Sequence, residues 1–390
     1  MQVGLILLAL AYVLSQFFRA FLAVLTAPLE ADLGLGPDVL ATASGLWFLS
    51  FAAMQVPVGW SLDTLGPRRT AGWLLLVGGC GGAALFALAQ SAIHIHIAMI
   101  LIGVGCSPVL MASFYIFART FPPSRFATLA ALMIGIGTVG NLISSYPMAF
   151  AAETIGWRAA MWVLAFGCGA VALGIFATVR DPEKPMDEAR GSLLDLLRMP
   201  ALWLLLPIMF VNYAPIGAVR GLWIGPYLTD VFGMTVSQIG IATLAMSIAM
   251  IFGTLAYGPL DRILGTRKWV AFGGNAMTAA LLVVLVVFGD THPWLSVVIM
   301  AAIGFFGASF PVIIAHARGF FPAHLTGRGV TLMNLFGIGG VGMMQFASGR
   351  IHTSWSGGSA DAPYVAIFAF LAISLAGGLV IYGFSRDTKG

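Results

Sequence analysis

The chain has 390 residues, of which 59% are apolar and only 9% are Asp, Glu, Lys or Arg. A soluble domain carries about 25% charged residues, because its surface must face water. Most of this exterior must therefore face lipid, and a water-soluble enzyme or nucleic-acid-binding domain is excluded as the main body despite the net charge of +4. The three cysteines, Cys80, Cys106 and Cys168, all sit in apolar runs, without CxxC or Cys/His metal spacing, so neither a disulfide framework nor a metal centre is expected. No nucleophile–base pair or phosphate loop stands out, so the chain reads as neither an enzyme nor a cofactor carrier. The absence of Asn-x-Ser/Thr sequons, together with short loops, fits a bacterial inner membrane protein.

The first residues, Met1 to Leu25, lack a basic leader and a small-residue cleavage site followed by a polar chain. They read as a first membrane helix. A bilayer core takes about 20 apolar residues in helical form. Such runs fall at 4–26, 39–60, 70–90, 95–118, 127–150 and 158–179, then at 201–228, 236–258, 269–288, 294–317, 328–349 and 363–384. The expected fold is all-α: a polytopic membrane protein of twelve transmembrane helices. Between the sixth and seventh lies the one long charged stretch, with Asp181, Glu183, Lys184, Asp187, Glu188, Arg190 and Asp195. It divides the chain into an N-terminal six-helix bundle (1–180), a linker (181–199) and a C-terminal six-helix bundle (200–390).

Basic residues gather on one side. The loops after even helices, the linker and the tail hold Arg68, Arg69, Arg119, Arg125, Arg180, Lys184, Arg190, Arg198, Arg262, Arg267, Lys268, Arg318, Arg328, Arg386 and Lys389; the opposite side has Arg158 and Arg350. By the positive-inside rule both termini and the linker are cytoplasmic. Topology thus accounts for the basic residues, and no nucleic-acid partner is expected.

The two halves also resemble each other. Gly59-Trp-Ser-Leu-Asp63-Thr-Leu-Gly66-Pro-Arg68-Arg69 follows the second helix, and Gly258-Pro-Leu-Asp261-Arg262-Ile-Leu-Gly265-Thr-Arg267-Lys268 follows the eighth. Ala118-Arg119-Thr-Phe-Pro122 returns as Ala317-Arg318-Gly-Phe-Phe-Pro322. Matching elements in the same order and orientation indicate a parallel duplication of six helices, one of the repeat schemes of secondary transporters.

The G-x-x-x-D-x-x-G-x-R-R pattern and its degenerate copy closely resemble the signature loop of the major facilitator superfamily, in which Gly156-Trp157-Arg158 opening the sixth helix is similar to a frequent motif. The resemblance spans nearly the whole chain. It implies the fold of two pseudo-symmetric six-helix bundles and rocker-switch alternating access. It also implies a cytoplasmic gating network of Asp63, Arg68, Arg69 and Arg119, with Asp261 and Arg318 as its counterpart. A solvated turn that only orients insertion is the plainer reading of these charges. Departures from the family bear on substrate. Proton-linked members often carry an Arg in the fourth helix before a glycine pair; here Gly103 and Gly105 are present, but Met99 occupies that place. The G-P-x-x-G-G run of drug–proton antiporters is missing from the fifth helix, which reads Gly135-Ile-Gly137-Thr-Val-Gly140-Asn141.

Ionisable residues at membrane depth are costly and usually functional. Outside loops and helix ends the twelve expected spans contain no acid and two arginines, Arg19 and Arg220, in helices equivalent under the duplication. Tyr12 precedes Arg19 by seven residues, and Tyr213 precedes Arg220 by seven. Seven residues are about two helical turns, so each pair shares a face, with Gln16 between the first pair. The repeat offset is 201 here against 199 in the loops, which an indel in the first outer loop would explain. The resemblance implies that the first and seventh helices line a central substrate path, with Asn141 and Asn334 on the flanking fifth and eleventh. A guanidinium offers five donors matched to carboxylate or phosphate, so an anionic substrate is the natural neutraliser. Snorkelling to the interface is the alternative role for both arginines. The other buried-looking polar residues, Asn212 and Asn275 among them, read first as helix–helix hydrogen bonds, and Trp47 and Trp223 as aromatic walls or anchors. His94, His96 and His316 make no convincing proton carrier.

The expected function is secondary transport of a small organic anion, a carboxylate or phosphate ester, by a monomer in the bilayer, with a proton or counter-anion as coupling partner. Export of amphipathic drugs or metabolites through a Met- and Phe-rich cavity is the alternative within transport. A non-transporting membrane receptor or assembly factor is the alternative outside it.

Overall fold

Apolar runs bounded by glycine and proline become long helices, because a proline at a helix start gives up no hydrogen bond and presets φ. Pro37, Pro67 and Pro293 open helices in this way. Thr235 opens another with a capping box: its hydroxyl accepts from the Gln238 amide, and the Gln238 side chain accepts from the Thr235 N–H at 2.9 Å. The computed structural model describes residues 2–183, 193–322 and 325–388. Residues 184–192 of the expected linker, including Lys184, Asp187, Glu188 and Arg190, lie outside the described residues, as does Lys389.

Among the described residues every regular element is helical. Eleven helices are long and apolar enough to cross a membrane: Pro37–Thr64, Pro67–Ala87, Ala92–Thr120, Thr128–Thr154, Trp157–Thr178, Leu202–Phe232, Val236–Leu264, Lys268–Phe288, Pro293–Arg318, Arg328–Trp355 and Ala362–Gly383. The twelfth is the pair Gln2–Phe17 and Leu22–Leu33, bent by 57°. This is the twelve-helix membrane architecture expected. Three details differ. The first span is broken at 18–21 and runs on to Leu33. The eleventh extends to Trp355, so Arg350 lies within its last two turns and not in a loop. Most of each signature motif is helical, since Gly59 to Thr64 finish the second span and Gly258 to Leu264 finish the eighth.

The chain folds into two compact units, Met1–Asp187 and Glu188–Gly390. In the first, Leu8 and Tyr12 pack with Val58, Leu75, Val109, Met133 and Ile175. In the second, Leu205 and Met209 pack with Ala271, Ile313, Met333 and Leu375. On the outside stand Phe166, Ile263 and Ile373, 70%, 72% and 71% exposed. Such side chains are at home in hydrocarbon.

Each unit has the same glycine seam. An added Cβ at Gly140 on the fifth span would collide with the Val13 carbonyl oxygen, and one at Gly137 with the Tyr12 ring. In the second unit, an added Cβ at Gly340 on the eleventh span would collide with the Phe210 carbonyl oxygen. Small residues let membrane helices close to backbone contact, where dispersion supplies the attraction that water would otherwise drive. Inside the second unit Asn212, Asn275 and Ser309 tie three helices together. The Asn212 amide donates to Asn275 Oδ1 at 2.6 Å, and the Asn275 amide to Ser309 Oγ at 3.1 Å. This is the helix-bridging role expected of these asparagines.

Overpacking a tight seam costs about 1–3 kcal/mol, so Gly140→Ala and Gly340→Ala should each lower the melting temperature of detergent-purified protein. Gly135→Ala and Gly377→Ala, where an added Cβ meets nothing within 4 Å, should leave it unchanged or slightly higher, since Ala favours the helix. Equal shifts in both pairs would refute the seam.

Candidate functional site

The first helix ends at Phe17, and the chain makes a tight turn in which the Arg19 N–H donates to the Gln16 carbonyl at 3.4 Å and the Ala20 N–H to that of Phe17 at 3.1 Å. These i to i+3 bonds give 3₁₀ geometry, in which residues three apart eclipse. Gln16 and Arg19 therefore align through the turn rather than along a continuous α-helix. Tyr12, 5% exposed, accepts a hydrogen bond from Gln16 Nε2 at 3.1 Å. The Arg19 guanidinium lies 5.1 Å from the Phe51 ring centroid and 5.5 Å from that of Trp47, and those rings stack on each other at 5.2 Å. Trp47 and Phe51 flank the middle of the second span, so the charge lies at membrane depth and not at a helix end. Three polar atoms here are buried with no hydrogen-bond partner among the described residues: Arg19 Nε, Gln16 Oε1 and Trp47 Nε1. Asn141 is buried on the fifth span, next to Gly140 of the seam.

The second unit repeats the plan with different backbone. Arg220 is 2% exposed and sits in a π-helical turn, Val219–Trp223. Tyr213, half-buried, lies where the seventh span breaks between Asn212 and Ala214, its ring 5.6 Å from Phe310. One turn beyond Arg220, Trp223 donates from Nε1 to Ser348 at 2.9 Å and stacks on His352 at 5.3 Å. Asn334 is half-buried on the eleventh span. Both arginines thus occupy helix irregularities, and π-turns cluster at functional sites. The structure also relocates the length difference between the repeats. Gly34 and Gly233 are the left-handed caps ending the first and seventh spans. The first lies fifteen residues beyond Arg19 and the second thirteen beyond Arg220. The two extra residues fall inside the span, where the first unit has an open turn, and not in the outer loop.

At the ends carrying the signature motifs, Arg119 reaches Asp63 at 4.0 Å, with Asp63 63% exposed, and donates to Tyr115 Oη at 2.7 Å. An ion pair so open to solvent contributes little to stability. The Arg68 and Arg69 side chains are exposed, and it is the Arg68 backbone N–H that is used, donating to Asp181 Oδ1 at 2.8 Å. Gly66 makes that turn with φ +89, and an added Cβ would press on the Asp181 carboxylate. Asp261 pairs with Arg267 at 3.4 Å; among the described residues no ion pair joins it to Arg318, which is exposed. The left-handed Gly265 folds the turn back so that Arg267 is the cation within reach.

Sequence reading placed Asp181 among linker charges, yet it caps the third span, as Asp387 caps the ninth. Asp387 accepts from the Lys268 N–H at 3.0 Å and from the Thr266 hydroxyl. The signal was present: Arg180-Asp181 after the sixth helix returns as Arg386-Asp387 after the twelfth. Partial burial pushes the Asp387 carboxyl up, but the hydrogen bonds from Thr266 and the Lys268 amide outweigh it and hold the group below its ordinary value. At the opposite ends, Arg158, an apparent exception to the charge rule, is neutralised by Asp32, which also accepts from Trp157 Nε1 at 3.1 Å. In the second unit Asp230 accepts correspondingly from the Tyr364 hydroxyl.

Two six-helix units that repeat helix breaks, glycine seams and capped loops define a duplicated polytopic membrane protein. Comparison with known proteins places it further. The family model of the Major Facilitator Superfamily matches residues 8–222 and 205–390, and the chain belongs to that superfamily of membrane transporters. It is 24% identical over 362 residues to the fosmidomycin resistance protein of Escherichia coli (strain K12), covering 89% of this chain and 86% of that one. Among solved structures, a D-xylose–proton symporter superposes with a TM-score of 0.80 at 14% identity, over 98% of this chain and 97% of the other. A bacterial homologue of the human lysosomal transporter Spinster, inward-facing and occupied, gives 0.73 at 17%, over 98% and 94%.

A carboxylate held below its ordinary pKa stabilises its cap above that range and loses the contribution as the pH falls through the lowered value. Protection of the Lys268 amide from hydrogen exchange, corrected for intrinsic rate, should therefore persist down to about pH 4, the ordinary aspartate value, and fade below it. Asp387→Ala should remove it at pH 7; unchanged protection in that variant would disprove the cap.

Proposed function

We propose that the protein transports a small organic anion, a carboxylate or phosphate ester, with Arg19 and Arg220 supplying one cationic donor from each six-helix unit. The observation that carries this reading is the Arg19 guanidinium, seated on Trp47 and Phe51 at membrane depth with Nε buried and unbonded among the described residues. A half-buried guanidinium whose Nε is shielded from water gains most from a ligand that brings both charge and acceptors. Tyr12, Gln16, Tyr213, Asn141 and Asn334 complete the proposed binding set. The capped loops around Asp63, Arg68, Arg69 and Arg119, and around Asp261 and Arg318, govern closure on the cytoplasmic side during alternating access. The charge distribution supports cytoplasmic termini and a bacterial inner membrane location. A monomer coupled to a proton or counter-anion completes the proposal.

Export of antibiotics is a second reading, favoured by the resistance in the name of the Escherichia coli relative. A deletion strain hypersensitive to fosmidomycin, with unaltered organic-acid uptake, would support it over the first.

A hydrogen bond to a charged group contributes about 1.5–3 kcal/mol. Arg19→Gln and Arg220→Gln should accordingly each reduce uptake at limiting substrate by about tenfold or more, measured in proteoliposomes against mono- and dicarboxylates, phosphate esters and the phosphonate fosmidomycin. Near-normal transport by both variants would sink the anion site.

A further inference from the structure

Gln16 presents a feature that an anion site alone does not require. It is 8% exposed, and one end of its amide is tied to the Tyr12 hydroxyl at 3.1 Å. The other end, Oε1, has no hydrogen-bond partner among the described residues. Arg19 follows Gln16 by three residues, with its N–H donating to the Gln16 carbonyl at 3.4 Å, so the two side chains leave the chain within one turn of each other. A buried amide group left unbonded is costly, and a group fixed at its other end cannot turn away to find a partner. Trp47 Nε1, on the ring that Arg19 covers, is likewise buried and unbonded. An anion satisfies Arg19 and the indole N–H, which are donors. It does nothing for an acceptor oxygen.

We infer that the substrate carries a hydroxyl group close to its anionic group, and that Gln16 recognises that hydroxyl while Arg19 holds the charge. The inference rests on the anion reading of Arg19 and adds the substrate class: hydroxy acids or hydroxyl-bearing phosphate esters. A hydroxyl both donates and accepts, so it suits the Gln16 amide oxygen and can take the indole N–H as well. The Tyr12 tether holds the amide in position, which makes Tyr12 a positioning residue. Sites that hydrogen-bond a substrate hydroxyl reject the analogue lacking it strongly, because the protein group is then stranded.

The test compares matched pairs of ligands by thermal shift and by competition for uptake with purified, reconstituted protein: lactate against propionate, and glycerol 3-phosphate against propyl phosphate. In the wild type the hydroxylated member of at least one pair should bind about tenfold more tightly or better. The pair that shows the preference identifies carboxylate or phosphate ester as the anion. Gln16→Met, close in shape, should bring the ratio near one while retaining affinity for the propionate or propyl phosphate partner. Tyr12→Phe should reduce the ratio in the same direction, and unliganded melting temperatures check that both variants fold. Arg19→Gln should weaken both members equally. Equal affinities within both pairs in the wild type, with binding still dependent on Arg19, would overturn the hydroxyl inference and leave the anion site standing. A preference that survives in Gln16→Met would overturn the role of Gln16. Failure of every anion to bind would overturn both readings.

Discussion

A hydrocarbon solvent offers no hydrogen bond to an exposed backbone amide or carbonyl, and the rest of this molecule follows from that. Long uninterrupted helices satisfy it at once, and prolines such as Pro37, Pro67 and Pro293 stand where spans begin. A broken helix satisfies it only where protein closes around the break. The open turn at 18–21 is buried on nearly every residue, and so is the π-helical turn 219–223. These are the places where the backbone departs from the α-helix, and where a polar side chain is held within a span.

The glycine seams show how the breaks are enclosed. Gly137 and Gly140 bring the fifth span against the backbone of the first just before its break, at Tyr12 and Val13. Gly337 and Gly340 do the same for the seventh at Met209 and Phe210. Contact at backbone distance leaves little room for water beside the seam. A guanidinium placed about two to three turns further on therefore stands in a setting of lowered dielectric, where electrostatic contacts strengthen and unmet ones are expensive.

Much of this was legible in the residues, and the limits have physical reasons. Apolar runs declare spans because lipid demands length and hydrophobicity together, and the paired turns, each with an Asp, a positive-φ glycine and two basic residues, declare the duplication because a chain reversal is needed at the same place in each half. The break in the first span was hidden, since Phe17, Phe18 and Phe21 continue the apolar run and carry no glycine or proline to mark the turn. The shared face of Tyr12 and Arg19 was inferred from α-helical spacing; the helix ends at Phe17, between them, and Tyr12 is bonded to the Gln16 amide. Asp181 was read as a solvated linker charge because a carboxylate beside Pro182 and Glu183 looks the same whether it is free or caps a helix distant in sequence. Its repetition in Asp387 was the available clue. The pairing of Asp261 with Arg267 and not Arg318 depended on the left-handed turn at Gly265, which spacing does not reveal.

The two-residue difference between the repeats lies between each arginine and its cap, inside a membrane span. Insertions inside a regular helix rotate every following side chain by about 100° per residue, so they are normally confined to loops. Here the irregular backbone absorbs the change, and the helix beyond it keeps its facing. The pre-existing breaks thus act as sites of evolutionary slack. After the ancestral gene was copied, each half was able to alter the reach and orientation of its own arginine without disturbing the seams that hold its bundle together.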